Sequence, residues 1–181
     1  YNKNINYILL NQWNDLRKLM WHKNCIIAPK RFVLFLQKVA KKENNTLFTH
    51  FSQNDVSELM YFIFDIFHNY LKENVNYIQK ENTKIEKYKQ QIYKKEYSII
   101  LKLFQGIQIT RIRRIENNKL LSEIPEMFFI IQLSVSNETN CTIETCFDNY
   151  CSVEVLDKTN QYVHSDKKID ALKDTCFYEL P

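Results

Sequence analysis

Ser52-Gln-Asn-Asp-Val-Ser-Glu-Leu-Met-Tyr-Phe-Ile-Phe-Asp-Ile-Phe-His-Asn-Tyr70 is the stretch from which the rest of the chain is interpreted. Its apolar side chains recur at i, i+3, i+4 and i+7, which predicts a helix with one broad buried face. Ser52 followed by Asp55 predicts the helix start, as a capping box in its aspartate form. The predicted buried face consists of Val56, Leu59, Met60, Ile63, Phe64, Phe67 and Tyr70.

The first turn of this helix carries two acids, Asp55 and Glu58, and neither has a basic residue four positions on to pair with. Acids at a helix start are stabilised by the backbone dipole, by about 0.3–1 kcal/mol each. Alternatively, the i, i+3 spacing places both carboxylates on one face, where they can receive an extended cationic ligand. Both interpretations stay open on these residues alone.

Composition bounds the class of protein. A chain of 181 residues with 45% hydrophobic and 25% charged residues is long enough for a buried core and typical of one soluble globular domain. The net charge of +4 does not by itself predict a nucleic-acid or membrane partner. No apolar run reaches the roughly 18 residues of a membrane span. The first residues lack a signal-peptide layout, so we expect an intracellular protein, in the cytoplasm or nucleus.

Cysteine and glycine counts add two expectations. The five cysteines are odd in number and form no C-x-x-C, so we expect reduced, mostly buried thiols rather than a disulfide framework or a zinc site. With only one glycine, tight turns of positive φ must be rare or supplied by asparagine. The cysteines are Cys25, Cys141, Cys146, Cys151 and Cys176.

The N-terminal half is predicted to be helical. Apolar stripes predict a helix over 8–21 and a second helix with Pro29 in its first turn. From 72 to 98, lysines and glutamates alternate with scattered apolar residues, which predicts a long, exposed, lightly anchored helix. A solvated face explains that stretch better than a membrane or nucleic-acid surface.

After Gly106 the apolar period becomes two, which predicts strands. The run Phe129, Ile131, Leu133 and Val135 alternates most cleanly, with Pro125 marking the entry to its strand. Helices first and strands second predict an α+β fold. The further predicted elements are a turn at 116–119, a helix at 142–150, a strand at Val153 and Val155, a hairpin or loop at 162–173 and a strand at 176–180.

No local motif in the chain predicts catalysis. None of His22, His50, His68 and His164 stands in a motif with a cysteine, and there is no glycine-rich phosphate loop. The cluster Arg111, Arg113 and Arg114 is interpreted as the solvated face of a strand rather than a nucleic-acid site.

Several motifs in register resemble the ubiquitin-specific protease family. Gln53-Asn-Asp55-Val-x-Glu58-Leu is similar to the Gln-Gln-Asp-Ala-x-Glu-Phe segment that opens a helix of the same type there. The likeness excludes the lysine-rich stretch at 72–98. Further matches are Pro29-x-x-Phe32, Phe104-Gln-Gly106, Ser122-x-x-Pro-Glu126 leading to Phe129–Leu133, Thr142–Tyr150, Val153-Glu154, Leu156, Asn160-x-Tyr162, Ala171-Leu-Lys173 and Leu180-Pro181.

The resemblance implies a papain-like cysteine peptidase of the thumb-palm-fingers type that removes ubiquitin, with ubiquitin and ubiquitinated proteins as partners. We therefore expect thumb helices over 1–71 and fingers and the start of the palm over 103–181, with the lysine-rich exposed helix, predicted from the charge pattern, between them over 72–102. The resemblance also implies that Asp55 and Glu58 face the arginine-bearing C-terminal tail of ubiquitin, where charge-assisted hydrogen bonds would hold a guanidinium.

Departures from the family pattern limit what this chain does alone. The Gly-Asn-Thr-Cys nucleophile box and the histidine box are absent, so we expect a central piece of a longer enzyme that has no activity by itself. Arg114 and Asn117 stand where many relatives have the first zinc cysteine pair, and only His164 remains near the second, so no metal or other cofactor is expected.

Two rival interpretations remain. The first is a ubiquitin-binding scaffold or pseudo-enzyme without a nucleophile. The second is a helical interaction or nucleic-acid-binding protein built on the stretch from 72 to 98.

Overall fold

The computed structural model describes residues 5–22, 26–78, 81–135 and 141–181. Contacts between Cα atoms divide the chain into two compact units. The helical unit comprises residues 1–74 and 96–100, and the sheet unit comprises 75–95 and 101–181. The α+β class predicted from the order of helices and strands is confirmed.

Three helices build the helical unit: α1 (Ile5–His22), α2 (Lys30–Lys42) and α3 (Val56–Leu71). Ring pairs support their packing, with centroids 5.8 Å apart for Trp13 and Phe32. Both N-terminal helices were predicted, although α1 is longer than expected and Pro29 is the N-cap of α2 rather than a residue of its first turn. The buried apolar core of this unit is Leu9, Leu36, Val39, Ala40, Phe48, Ile66 and Phe67.

Helix α3 corrects two details of its prediction. It begins at Val56 with Asp55 as N-cap, so the predicted capping box starting at Ser52 is wrong. The buried face is also narrower, because Val56 is 70% exposed and Met60 42% exposed, whereas Ile66, outside the predicted face, is buried. The reason is that the first turn of α3 borders a surface groove and only its later turns reach the core.

The sheet unit contains a four-stranded antiparallel sheet in the order β2-β1-β6-β3 and a separate β4–β5 hairpin. Its helices are α4 (Lys84–Tyr93) and α6 (Ile143–Cys151), and the division between the units falls within α5 (Ile99–Phe104). The strands are β1 (Gly106–Arg114), β2 (Leu120–Phe128), β3 (Glu154–Leu156), β4 (Tyr162–His164), β5 (Lys167–Ile169) and β6 (Ala171–Glu179).

Two apolar clusters stabilise the sheet. Ile85 of α4 packs with Ile107 and Ile109 of β1. Ile112 of β1 packs with Leu156 and Ala171 from β3 and β6. Helix α6 contacts β6 through the rings of Phe147 and Phe177, whose centroids lie 5.7 Å apart.

The prediction of a single exposed helix over 72–98, which the expected division of the chain extends to 102, is wrong. Residues 72–78 and 94–98 are not helical, and the backbone N–H of Glu73 donates to the carbonyl of Tyr97 at 2.8 Å. Among the described residues between these two ranges, α4 is the helical part, and it buries Ile85, Glu86 and Lys89. The charged sequence conceals this buried face because Glu86 and Lys89 neutralise each other inside the unit.

The prediction of a strand over 129–135 is also wrong, since those residues form no strand and β2 lies before them with Pro125 in its interior. Proline is tolerated there because β2 is an edge strand, which has one side without a partner strand. The helix predicted at 142–150 and the hairpin within 162–173 are confirmed.

Smaller differences concern strand limits and turns. Val153 lies just outside β3, and the last strand begins at Ala171 rather than at Cys176. Positive φ occurs at two asparagines, as predicted, but also at Lys158, Ser165 and Asp166.

Candidate functional site

The first turn of α3 carries the acids singled out by the sequence. Asp55 has an extended backbone, with φ −71° and ψ 135°, as an N-cap requires. Its Oδ1 accepts hydrogen bonds from the backbone N–H of Ser57 at 2.7 Å and of Glu58 at 3.1 Å. One carboxylate oxygen therefore caps the helix, while Oδ2 has no hydrogen-bond partner within the described ranges.

Glu58 is the third residue of α3 and is exposed. The spacing Asp55-x-x-Glu58 is that of a capping box, but only the half in which Asp55 accepts is formed. Within the part of the chain that the structure describes, the Glu58 carboxylate has neither a hydrogen bond nor an ion pair. The start of α3 thus presents the free carboxylate of Glu58 and one free carboxylate oxygen of Asp55, among the described residues.

An apolar groove adjoins these acids, and we call it the α2–α3 groove. One cavity of about 260 Å³ is lined by residues of α2, of the connection after it and of the start of α3, including Asp55. A second cavity of about 380 Å³ shares Val33 and Phe51 with the first. The apolar lining residues of the two cavities are Pro29, Val33, Leu34, Leu36, Phe48, Phe51, Val56 and Leu59.

This arrangement has a definite chemical preference. An apolar floor takes aliphatic side chains, while carboxylates at its edge attract cations and form charge-assisted hydrogen bonds with guanidinium groups. The structure brings Asp55 to the groove lining, and Glu58 lies one turn further on without lining either cavity. An extended segment with alternating apolar and basic residues fits both features.

A second polar cluster was missed by sequence reasoning. His68 Nδ1 lies 2.8 Å from Ser98 Oγ, and His68 Nε2 lies 3.6 Å from a carboxylate oxygen of Glu96. This set of residue types also serves hydrolases, but Ser98 is 0% exposed and cannot meet a substrate. The cluster therefore ties residues 96–98 to α3. His68 and Ser98 are thirty positions apart in the sequence, and no local pattern predicts their contact.

Cys146 and Cys151 lack the lowered pKa of an activated nucleophile. The hydrogen bond with Cys141 and burial raise the pKa of Cys146, and burial raises the pKa of Cys151, whereas a nucleophilic thiol needs a lowered pKa. Cys176 has no histidine within hydrogen-bond distance among the described residues. Cys25 lies outside those residues.

The arginine cluster of β1 is engaged by acids. Arg111 Nε donates to Glu123 at 3.1 Å and Arg113 pairs with Asp174. Arg114 lies 3.7 Å from Glu116. These partners neutralise the cluster, which supports its interpretation as the polar face of a strand.

The described ranges contain neither a metal site nor a membrane-spanning helix. No group of three or more histidine, cysteine, aspartate or glutamate residues is placed to hold a metal ion there. No helix in the described part combines the length and apolar character that crossing a bilayer requires.

A family model described as ubiquitin carboxyl-terminal hydrolase matches residues 1–180, which is nearly the whole chain.

Proposed function

The chain belongs to the ubiquitin carboxyl-terminal hydrolase family, and from this premise we propose that it forms the ubiquitin-tail-binding part of a cysteine-type, ubiquitin-specific deubiquitinase. The family acts on ubiquitin and ubiquitinated proteins. In the proposed reaction a thiolate attacks the carbonyl after the C-terminal glycine of ubiquitin, and the nucleophile comes from outside these 181 residues. The raised pKa values of Cys146 and Cys151 support placing it elsewhere.

The α2–α3 groove and its acids carry this proposal. The arginine-bearing tail of ubiquitin would lie along the groove, with its apolar side chains on Val33 and Phe51 and a guanidinium on Glu58. Glu58 is suited to this role because its carboxylate is exposed and without a partner among the described residues. Asp55 would contribute Oδ2 while Oδ1 continues to cap α3. In the same proposal the helical unit contributes the thumb, and the strands after 103 contribute the fingers and the start of the palm.

Charge-removing, shape-preserving variants test this role in the full-length protein. Glu58→Gln and Asp55→Asn should each raise KM for a ubiquitin-linked fluorogenic substrate by about 10- to 100-fold, the effect of losing one charge-assisted hydrogen bond. Asp65→Asn is the matched control, because Asp65 lies on the same helix and is exposed, but is not among the residues that line the groove. Unchanged KM in Glu58→Gln, with normal folding by circular dichroism, would remove the acids from the proposal.

One rival retains a specific supporting observation. The raised pKa values of Cys146 and Cys151 also fit a ubiquitin-binding scaffold. The two functions differ in the full-length protein: a deubiquitinase turns over the substrate, whereas a scaffold binds ubiquitin with the same dependence on Glu58 and releases no product. The nucleic-acid alternative has lost its basis, because the exposed helix on which it rested is short and buries Lys89.

A further inference from the structure

Helix α6 begins with a complete capping box in the sheet unit. The backbone N–H of Thr145 donates to Thr142 Oγ1 at 3.3 Å, and the backbone N–H of Thr142 donates to Thr145 Oγ1 at 3.0 Å. The capping box therefore makes Thr142 the N-cap and Ile143 the first residue of α6.

The residue before such a cap and the fourth residue of the helix meet in space, and apolar side chains at these two positions form a hydrophobic staple. In α6 those positions are occupied by Cys141 and Cys146. Their sulfur atoms lie 3.3 Å apart. This distance is shorter than the roughly 4.0–4.5 Å at which apolar side chains are in contact. Two thiols thus stand in contact across the first turn of the helix.

We propose that Cys141 and Cys146 form a redox-responsive dithiol, which a hydroperoxide converts reversibly into a disulfide that staples the start of α6. The proposal goes beyond the ubiquitin-related function and does not depend on it.

The two thiols differ in a way that assigns their roles. Cys141 is half-buried and adjoins the N-terminus of a nine-residue helix, where the backbone dipole favours a thiolate. The Thr145 hydroxyl lies 3.9 Å from its sulfur. Cys146 is buried, and the hydrogen bond with Cys141 raises its pKa, so Cys146 holds its proton more tightly than an ordinary thiol does. Cys141 is therefore the attacking thiolate and Cys146 the resolving thiol.

The reaction balances in two steps. The Cys141 thiolate attacks one oxygen of hydrogen peroxide, the O–O bond breaks, and with one proton taken up the products are a sulfenic acid and water. Cys146 then attacks the sulfenic sulfur, the S–O bond breaks, and the thiol proton leaves with the hydroxide as a second water. Both sulfurs are oxidised and the peroxide is reduced. A small dithiol reductant reverses the change by exchange.

Cys151 serves as the internal comparison, because it ends the same helix and is half-buried like Cys141. It lies at the opposite end of the helix dipole, and burial raises its pKa. Selectivity for Cys141 and Cys146 therefore follows from position in the helix rather than from exposure alone.

Site-resolved thiol labelling of the full-length protein tests the proposal. Reduced protein is treated with hydrogen peroxide, blocked with iodoacetamide, reduced with dithiothreitol and labelled with N-ethylmaleimide before mass spectrometry. We expect Cys141 and Cys146 to be oxidised together and so to carry the second label, N-ethylmaleimide. At the same peroxide dose, Cys151 and Cys176 should stay reduced and carry the first label, from iodoacetamide. Retention of the first label by Cys141 and Cys146, or their independent oxidation, would overturn the proposal.

Three variants separate the roles of the thiols. In Cys146→Ser, Cys141 should stop at a sulfenic acid that dimedone captures. In Cys141→Ser, which alters the more exposed residue and so perturbs the fold less, Cys146 should resist peroxide. Cys151→Ser should behave like the unmodified protein. If Cys146 in Cys141→Ser were oxidised as fast as in the protein without the substitution, Cys141 and Cys146 would not act as a redox pair.

Discussion

Asp55 shows at the scale of one residue how a capping role leaves a second carboxylate oxygen for the proposed binding role. Oδ1 accepts two backbone N–H groups and Oδ2 remains available beside the groove. The sequence alone predicted both uses of the acids but not their division, because which acid caps depends on where the helix starts. That start lies at Val56 rather than directly after Ser52, so Asp55 caps and Glu58 does not.

This division predicts unequal effects on stability. Asp55→Ala should lower the free energy of unfolding by about 1 kcal/mol, the usual cost of losing a side-chain cap. Asp55→Asn should cost little, because asparagine caps as well as aspartate. Glu58→Ala should change stability by less than about 0.5 kcal/mol, as surface substitutions do. Urea denaturation of the three variants measures this order, and a Glu58→Ala loss equal to that of Asp55→Ala would contradict it.

Gly106, the only glycine, gives a second prediction at this scale. It has no positive φ, so space rather than backbone conformation requires it. A Cβ at this position would lie 2.2 Å from Cζ of Phe128, the residue opposite it in the β1–β2 register. Gly106→Ala should therefore destabilise the protein by about 1–3 kcal/mol, the cost of overpacking. Thermal unfolding of Gly106→Ala with and without Phe128→Leu checks the cause, since the smaller side chain should restore part of the loss.

At the scale of one element, α4 is where charge patterning misled the prediction. Lys89 is buried, pairs with Glu179, and lies 3.9 Å from the buried Glu86. Its Nζ is also 5.9 Å from the ring centroids of both Tyr77 and Tyr93, within the range of cation–π attraction. A lysine that looks solvated in the sequence is thus the centre of a polar network inside the sheet unit.

Breaking this network should be costly. Lys89→Met should lower the free energy of unfolding by about 3 kcal/mol, because it leaves the Glu86 carboxylate buried without its cation. Lys87→Met is the matched control on the exposed side of the same helix and should cost less than about 0.5 kcal/mol. Equal stability of the two variants, measured by chemical denaturation, would mean that the network contributes nothing.

The same network predicts loss of stability in alkali. Burial and the hydrogen bond to Glu86 raise the pKa of Tyr77 above 10.0. Burial alone would lower the pKa of Lys89, but the hydrogen bond to Glu179 and nearby negative charges raise it above 10.5. Both groups then bind protons more tightly in the folded state, so their contribution is complete below these ordinary values and lost as pH rises through the raised ones.

Unfolding measured across the alkaline range tests this sign. The free energy of unfolding should fall above about pH 10, and the fall should be shallower in a Tyr77→Phe, Lys89→Met double variant, which lacks both groups. A fall of the same steepness in that variant would assign the alkaline loss to other groups.

The contrast between α6 and β2 shows which elements the sequence predicts. Helix α6 was predicted within one residue at each end because its cap and its apolar spacing are local signals. Strand β2 was displaced, because the alternation at 129–135 is cleaner than that at 120–128, and only pairing with β1 selects the latter. Partners distant in the sequence also explain why the contact of His68 with Ser98 was missed.

At the scale of the whole molecule, the stretch 75–95 belongs to the sheet unit although it interrupts the helical one in sequence. The resemblance to the family lies outside this stretch. The sequence therefore predicted the family and the order of elements, but not which residue of the stretch packs on the sheet. The anchor is Ile85, which is 8% exposed against Ile107 and Ile109, whereas Ile78 in the same stretch is 83% exposed.

These two isoleucines make a matched pair. Ile85→Ala should lower the free energy of unfolding by about 2–4 kcal/mol, because it leaves a cavity beside β1. Ile78→Ala should lie within about 0.5 kcal/mol of the unmodified protein. Urea denaturation distinguishes them, and equal midpoints would show that the stretch is as lightly anchored as its charge pattern predicted.

Removing the whole stretch tests its place in the molecule. Glu73 and Tyr97 are paired as an antiparallel bridge, so residues 75–95 can be replaced by Asn-Gly, a sequence that suits a tight turn between paired strands. We expect the helical unit to keep its helices, since its buried residues lie outside the deletion. Amide exchange in β1 should accelerate, because Ile107 and Ile109 lose the cover of Ile85. Unchanged protection of β1 would mean that α4 is an appendage of the sheet unit rather than part of its core.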